Sequence, residues 1–171
     1  TRKSFGKTKD GREADIYSFE NKNGMVVEVT NFGVTIVKVI VPDRNGKKDD
    51  IVLGYDTIDG YFGNGSFFGS TIGPSANRIA NASFTVDGER YQLPVNDGNN
   101  NLHSDYELGY HKMLWDAVIK DDNSVQFSLE DQDGNMGFPG NKKIELTVAL
   151  TDENELKLIY HAESDKNTLI N

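Results

Sequence analysis

The 171-residue chain has no cysteine. That excludes disulfide staples and thiolate chemistry, and it leaves the redox compartment open. Prolines number only 4 against 17 glycines, a balance that suits many turns between short strands. Positive charge is scarce too: 18 Lys and Arg face 27 Asp and Glu, for a net charge of −9. Nucleic acid and anionic membrane surfaces both demand clustered positive charge, so neither is expected as a partner. The basic run Lys47–Lys48 is cancelled at once by Asp49–Asp50. No apolar run approaches the length of a membrane span or a signal core, and the expected compartment is the cytoplasm. The chain opens at Thr1 rather than methionine, which fits a natural start upstream.

Metal ligands are also thin. The 3 histidines are scattered, and without cysteine they make no metal-ligand spacing. Asp131-Gln132-Asp133-Gly134-Asn135 resembles part of a calcium loop, but the distal glutamate is missing. No metal and no cofactor is expected. Asp49–Asp50, Asp121–Asp122 and Asp131/Asp133 are read as solvated turns, and His111 and His161 as surface or strand residues.

What the chain does have is strand pattern. The polar opening from Thr1 to Asp15, with Gly6 and Gly11, suits a first strand and turn. Met25 to Val41 is mostly β-branched, which favours a pleated surface over a helix. Asn31 and Gly33 interrupt that run as a bend or bulge, and Pro42 ends it. A turn is expected over Asp43–Lys48, a short apolar strand over Ile51–Leu53, and one helical turn over Asp56–Tyr61, capped by Asp56 or Thr57. Asp87-Gly88 is a two-residue hairpin signal that sets Phe84 opposite Tyr91 and Val86 opposite Glu89. Asn96–Asn101 is too polar for regular structure. A strand is expected over Met113–Ile119 with Trp115 in the core. Val125, Phe127 and Leu129 alternate with polar residues, as do Ile144 to Leu150 and then Leu156, Leu158 and Tyr160, the signature of half-buried strands. No long helical stripe is present. One all-β domain spanning residues 1–171 follows, its sheets stacked as a sandwich.

The organising stretch is Gly73 to His103. It carries Asn77 and Arg78, runs through the hairpin, and ends in an amide-rich loop that delivers Leu102 and His103. A guanidinium fork, amides that donate and accept, and an imidazole that titrates near neutrality suit a hydroxyl-rich ligand. Taken alone, each has a plainer reading: His103 as a structural residue, Arg78 as a loop brace, Asn77 as a turn former.

The motifs Asn77-Arg78-Ile79-Ala80-Asn81, Tyr91-Gln92-Leu93-Pro94 and Asn101-Leu102-His103 resemble aldose 1-epimerase, the galactose mutarotase family. Thr30-Asn31-Phe32-Gly33, Val52-Leu53-Gly54-Tyr55-Asp56, Gly109-Tyr110 before Trp115, and Gly137-Phe138-Pro139-Gly140 are similar again. The series runs in order over nearly the whole chain. The resemblance implies a large β-sandwich whose concave face holds a free aldohexose, such as galactose or glucose. It also implies cofactor-free exchange of α and β anomers by acid–base ring opening and closure. It makes His103 the active-site imidazole and Asn77 and Arg78 sugar-binding residues. Three departures stand out. Pro74 sits where the family often has arginine, Ser104-Asp105 lengthens the spacing to Gly109, and the chain is about half the family length. The resemblance therefore places a second histidine, a substrate-binding aspartate and a general-base glutamate beyond Asn171. It reads the chain as the N-terminal, catalytically incomplete part of the sandwich, whose partner is the missing C-terminal half. A non-catalytic carbohydrate-binding sandwich and a sugar-phosphate epimerase are the alternatives. The second would need a basic cluster that Arg78 and Arg90 alone do not supply.

Overall fold

The computed structural model describes all residues, Thr1–Asn171. The first five strands form an antiparallel meander: β1 (Arg2–Lys7), β2 (Glu13–Glu20), β3 (Val26–Thr30), β4 (Thr35–Pro42) and β5 (Lys48–Asp50). A single-turn helix, α1 (Ile58–Phe62), follows. Two small ladders come next. β6 (Arg78–Ile79) pairs with β9 (Asn101–Leu102), and between them β7 (Ser83–Val86) pairs with β8 (Glu89–Gln92). A four-stranded meander completes the chain: β10 (Asp116–Asp121), β11 (Ser124–Asp131), β12 (Lys142–Leu150) and β13 (Leu156–Ser164).

The two meanders stack face to face, as the alternation of apolar residues requires. Tyr17, Phe19, Val27 and Val29 of the first sheet share one buried cluster with Val125, Phe127, Leu146 and Val148 of the second. Tyr17 meets Phe127 edge-on with ring centroids 5.5 Å apart, a contact worth about 0.5–1.5 kcal/mol beyond its buried area. Trp115 is 1% exposed, and its indole N–H donates to Tyr110 O at 3.1 Å, so the core reading of this residue holds. The hairpin register is the expected one, with Phe84 opposite Tyr91 and Val86 opposite Glu89. Phe84 and Tyr91 stack at 5.5 Å.

Asn31 and Gly33 form the turn between β3 and β4. Asn31 is buried there, accepting the Asp15 N–H at 2.8 Å and donating to Trp115 O at 3.1 Å. Gly33 has φ 68, and an added Cβ would collide with the His111 backbone, so glycine is required for close approach. The bulge in this pair lies further on. Val29 pairs with Ile36 and Glu28 with Lys38, leaving Val37 as the extra residue.

Several expectations need correction. Ile51–Leu53 is not a strand, and Ile51 and Leu53 are 64% and 70% exposed. The pairing stops one residue earlier because Asp50 Oδ1 accepts the N–H groups of both Val39 and Val52. Thr57 does cap α1, but its side chain makes no capping hydrogen bond. Asn101 belongs to a strand rather than to the loop, because Ile79 offers it a partner. Asp131 also departs from expectation and lies in no solvated turn. Asp131 and Lys142 are fully buried with N···O 3.3 Å, and Asp131 also accepts Tyr110 O–H at 2.9 Å and Asn135 Nδ2 at 2.6 Å.

β13 departs from the half-buried pattern as well. Its Leu158 and Tyr160 stand opposite the core residues Val148 and Leu146, on the same face of the sheet. Yet they are 41% and 57% exposed.

Breaking a buried ion pair leaves an uncompensated charge in a medium that solvates it poorly. Lys142→Ala is therefore expected to cost about 3–5 kcal/mol in urea denaturation, far more than Lys143→Ala on the exposed face of the same strand.

Candidate functional site

The site grows out of the ladder between β6 and β9, where Arg78 pairs with Leu102 and Ile79 with Asn101. Pairing continues beyond the strands by a different means. His103 N–H donates to Asn77 O at 3.0 Å, and Asn77 N–H returns a bond to His103 Nδ1 at 3.0 Å. One step further, Ser75 N–H donates to Ser104 Oγ at 2.8 Å and that hydroxyl donates to Ser75 O at 2.9 Å. Asn77, His103 and Ser104 have φ 60, 56 and 65, a left-handed conformation that non-glycine residues rarely adopt. The reciprocal bonds hold them there.

The amide-rich loop is built for the scaffold. Asn96 donates to Leu102 O at 2.9 Å and accepts Leu102 N–H at 2.6 Å. Asn101 donates to Pro94 O and Ser104 O, at 2.8 and 2.6 Å. Asn100 accepts Asn81 N–H at 3.1 Å. These side chains shape the loop that presents His103.

The structure thus brings Asn77, Arg78 and His103 together. Asn77 contributes its backbone to His103 and leaves its side chain exposed. Arg78 Nε donates to Asp97 Oδ2 at 2.7 Å in a side chain that is 56% exposed, so its two Nη groups point a donor pair outward. Asp97 was invisible in the sequence, where it reads as one more polar residue of a turn.

The bond at Nδ1 decides the chemistry of His103. An Nδ1 that accepts an N–H carries no proton, so the neutral ring bears its proton on Nε2. Partial burial, and then the charge of Arg78, hold His103 below the usual histidine pKa. The ring therefore presents an N–H donor near neutrality. It borders a cleft of about 520 Å³, also lined by Asn64, Phe67, Tyr106, Glu107 and Lys112, a volume within the range of small-molecule sites. Lys112 Nζ is tied to Tyr61 O and Phe62 O at 3.0 and 2.8 Å, and Glu107 is the carboxylate lining the cleft.

The surface reading of His111 is overturned. It is 3% exposed, with Nε2 3.2 Å from Tyr106 O and Nδ1 buried without a partner. It is buried because the Gly109–Met113 segment is pinned against the first sheet by Gly33 N–H to Met113 O at 2.8 Å. His161 stays on the surface beside Glu163 at 3.1 Å.

The chain is similar to known proteins over most of its length. The family model for aldose 1-epimerase matches residues 15–171. Rat galactose mutarotase is 38% identical over all of this chain and 49% of its own length. Aldose 1-epimerase of Escherichia coli is 36% identical over 95% of this chain and 46% of its own. Among solved structures, galactose 1-epimerase from Lactobacillus acidophilus superposes with a TM-score of 0.87 at 31% identity, covering 99% of this chain and 50% of that one. A Caenorhabditis elegans aldose epimerase homologue gives the same TM-score at 35% identity, over 92% and 48%. The chain spans about half the length of the curated relatives it matches.

Burial holds His111 at a pKa of about 4, against an ordinary 6.5. The folded state thus keeps it neutral while the unfolded chain binds a proton. Its contribution is complete above pH 6.5 and is lost as pH falls toward 4. The loss is on the order of 3 kcal/mol. His111→Phe is expected to remove this part of the pH dependence, measured as the wild-type minus variant difference in urea stability from pH 7 to 4.

Proposed function

The chain belongs to the aldose 1-epimerase family, and on that premise we propose that it binds an aldohexose and takes part in exchanging its α and β anomers. The observation that carries the reading is the Asn77 N–H to His103 Nδ1 bond at the edge of the cleft. It leaves His103 a donor through Nε2–H, suited to polarising a sugar oxygen as the ring opens. Arg78 offers its free Nη pair to adjacent hydroxyls, and the exposed amide of Asn77 adds a contact from the same edge.

Ring opening needs one proton taken from the anomeric hydroxyl and one delivered to the ring oxygen. His103 cannot take a proton on Nδ1 while that atom accepts the Asn77 N–H. It serves one of the two roles, and the second acid–base partner comes from a further portion of the fold, of about this chain's size. The length of the relatives supports this, as does the apolar face of β13, where Leu158 and Tyr160 are uncovered. β13 is also an unpaired edge strand, a ready place for the sheet to continue.

Polarimetry of freshly dissolved α-glucose and α-galactose tests this. The 171-residue chain alone is expected to leave the anomerisation rate near that of buffer, and supplying the remaining half is expected to restore catalysis. Full activity from the monomeric chain alone would place the missing base within it. In the restored enzyme, His103→Ala is expected to lower kcat by about 10²-fold, the typical loss for one preorganised polar partner of a transition state. Arg78→Lys keeps the charge but not the planar fork, so KM is expected to rise, and an unchanged KM would assign Arg78 to bracing Asp97 instead.

A further inference from the structure

The Asn77 bond is the one hydrogen bond to the His103 ring, and a contact against the ring adds to what holds it in place. Phe67 makes that contact, with ring centroids 4.9 Å apart and planes at 60°. Phe67 also meets the buried His111 edge-on at 4.9 Å, and it lies 5.8 Å from Tyr106. The phenyl ring thus contacts two imidazoles, one buried inside the protein and one lining the cleft.

Phe67 is itself placed against its own preference. Its φ is 55, unusual for a bulky side chain. The buried Asn64 imposes it. Asn64 Nδ2 donates to Phe68 O at 3.1 Å, Asn64 Oδ1 accepts Phe68 N–H at 3.1 Å, and Asn64 O accepts Phe67 N–H at 3.1 Å. A loop clamped from inside, holding an aromatic in an unfavourable backbone conformation beside a cleft, is the pattern expected of strain retained for a purpose.

We propose that Phe67 is a positioning residue for His103: packed against the buried His111, it holds the imidazole so that Nδ1 keeps the Asn77 N–H and Nε2–H faces the cleft. The functional consequence rests on the mutarotase reading; the effect on the ring does not. His111 acts as the fixed backstop. Kept neutral by burial and by neighbouring Lys112, it adds no charge behind the phenyl ring. The titratable and charged groups around His103 are Arg78 on β6 with its partner Asp97, His111 behind Phe67, and Tyr106, Glu107 and Lys112 around the cleft.

The test reads the ring directly, by ¹⁵N NMR of the imidazoles across pH in the 171-residue chain, with amide dispersion confirming the fold. In the wild type, His103 is expected as a single Nε2–H tautomer titrating below the ordinary histidine value. Phe67→Leu is expected to give mixed tautomers and a midpoint shifted upward, while Phe67→Tyr restores the wild-type behaviour. If Phe67→Leu does not fold, Phe67→Met carries the same test. A folded Leu or Met variant with one Nε2–H tautomer and an unmoved midpoint overturns the proposal. In the enzyme restored with its second half, Phe67→Leu is expected to lower kcat roughly tenfold, with KM held within about twofold, as expected when a reacting group is misplaced rather than removed. Altered tautomers in an enzyme that turns over no sugar support the positioning role and count against the mutarotase reading.

Discussion

The candidate site depends on the reciprocal hydrogen bonds between the Ser75–Ile79 and Asn101–Ser104 segments. Two residues per strand are too few to hold a loop by ladder alone, so the pairing is extended by side chains that imitate backbone. His103 Nδ1 takes the Asn77 N–H, and Ser104 Oγ both accepts from and donates to Ser75. The same bonds that fold the loop set the protonation pattern of the imidazole. Loop geometry and acid–base character are therefore linked through the Asn77 N–H to His103 Nδ1 bond.

The site is joined to the core through Gly109–Met113. Tyr110 sends its hydroxyl to the buried Asp131–Lys142 pair, accepts the Trp115 indole N–H on its carbonyl, and donates its own N–H to Gly73 O at 3.2 Å. His111, the next residue, faces the other way, toward Phe67 and the cleft. Consecutive side chains thus anchor one segment in the sandwich and back the candidate site. A polar centre enclosed between sheets costs desolvation, yet its hydrogen bonds are directional, and here they fix where the segment behind the cleft lies.

Much of the fold was legible because it is local. Period-two alternation reports which strand face is buried, and Asp87-Gly88 dictates a hairpin register within a few residues. Asn77, Arg78 and His103 were proposed from the sequence because their motifs lie in one stretch and their residue types suit a polar ligand, and the structure sets them side by side. The alternation failed at β13, where it marks Leu158 and Tyr160 as inward residues but cannot say whether anything covers them.

The sequence by itself determined the all-β class and the hairpin register, and it proposed Asn77, Arg78 and His103, because each follows from backbone preference, short-range spacing or one contiguous motif. Only the tertiary structure decided that His111 is buried, that Asp131 pairs with Lys142, that Asp97 holds Arg78, and that Phe67 contacts both His103 and His111. Those partners are 11 to 44 residues apart along the chain. Burial and pairing at such separations are set by how sheets and loops stack. No local pattern encodes that, so the proton on His103 Nε2 had to be read from its neighbours in space.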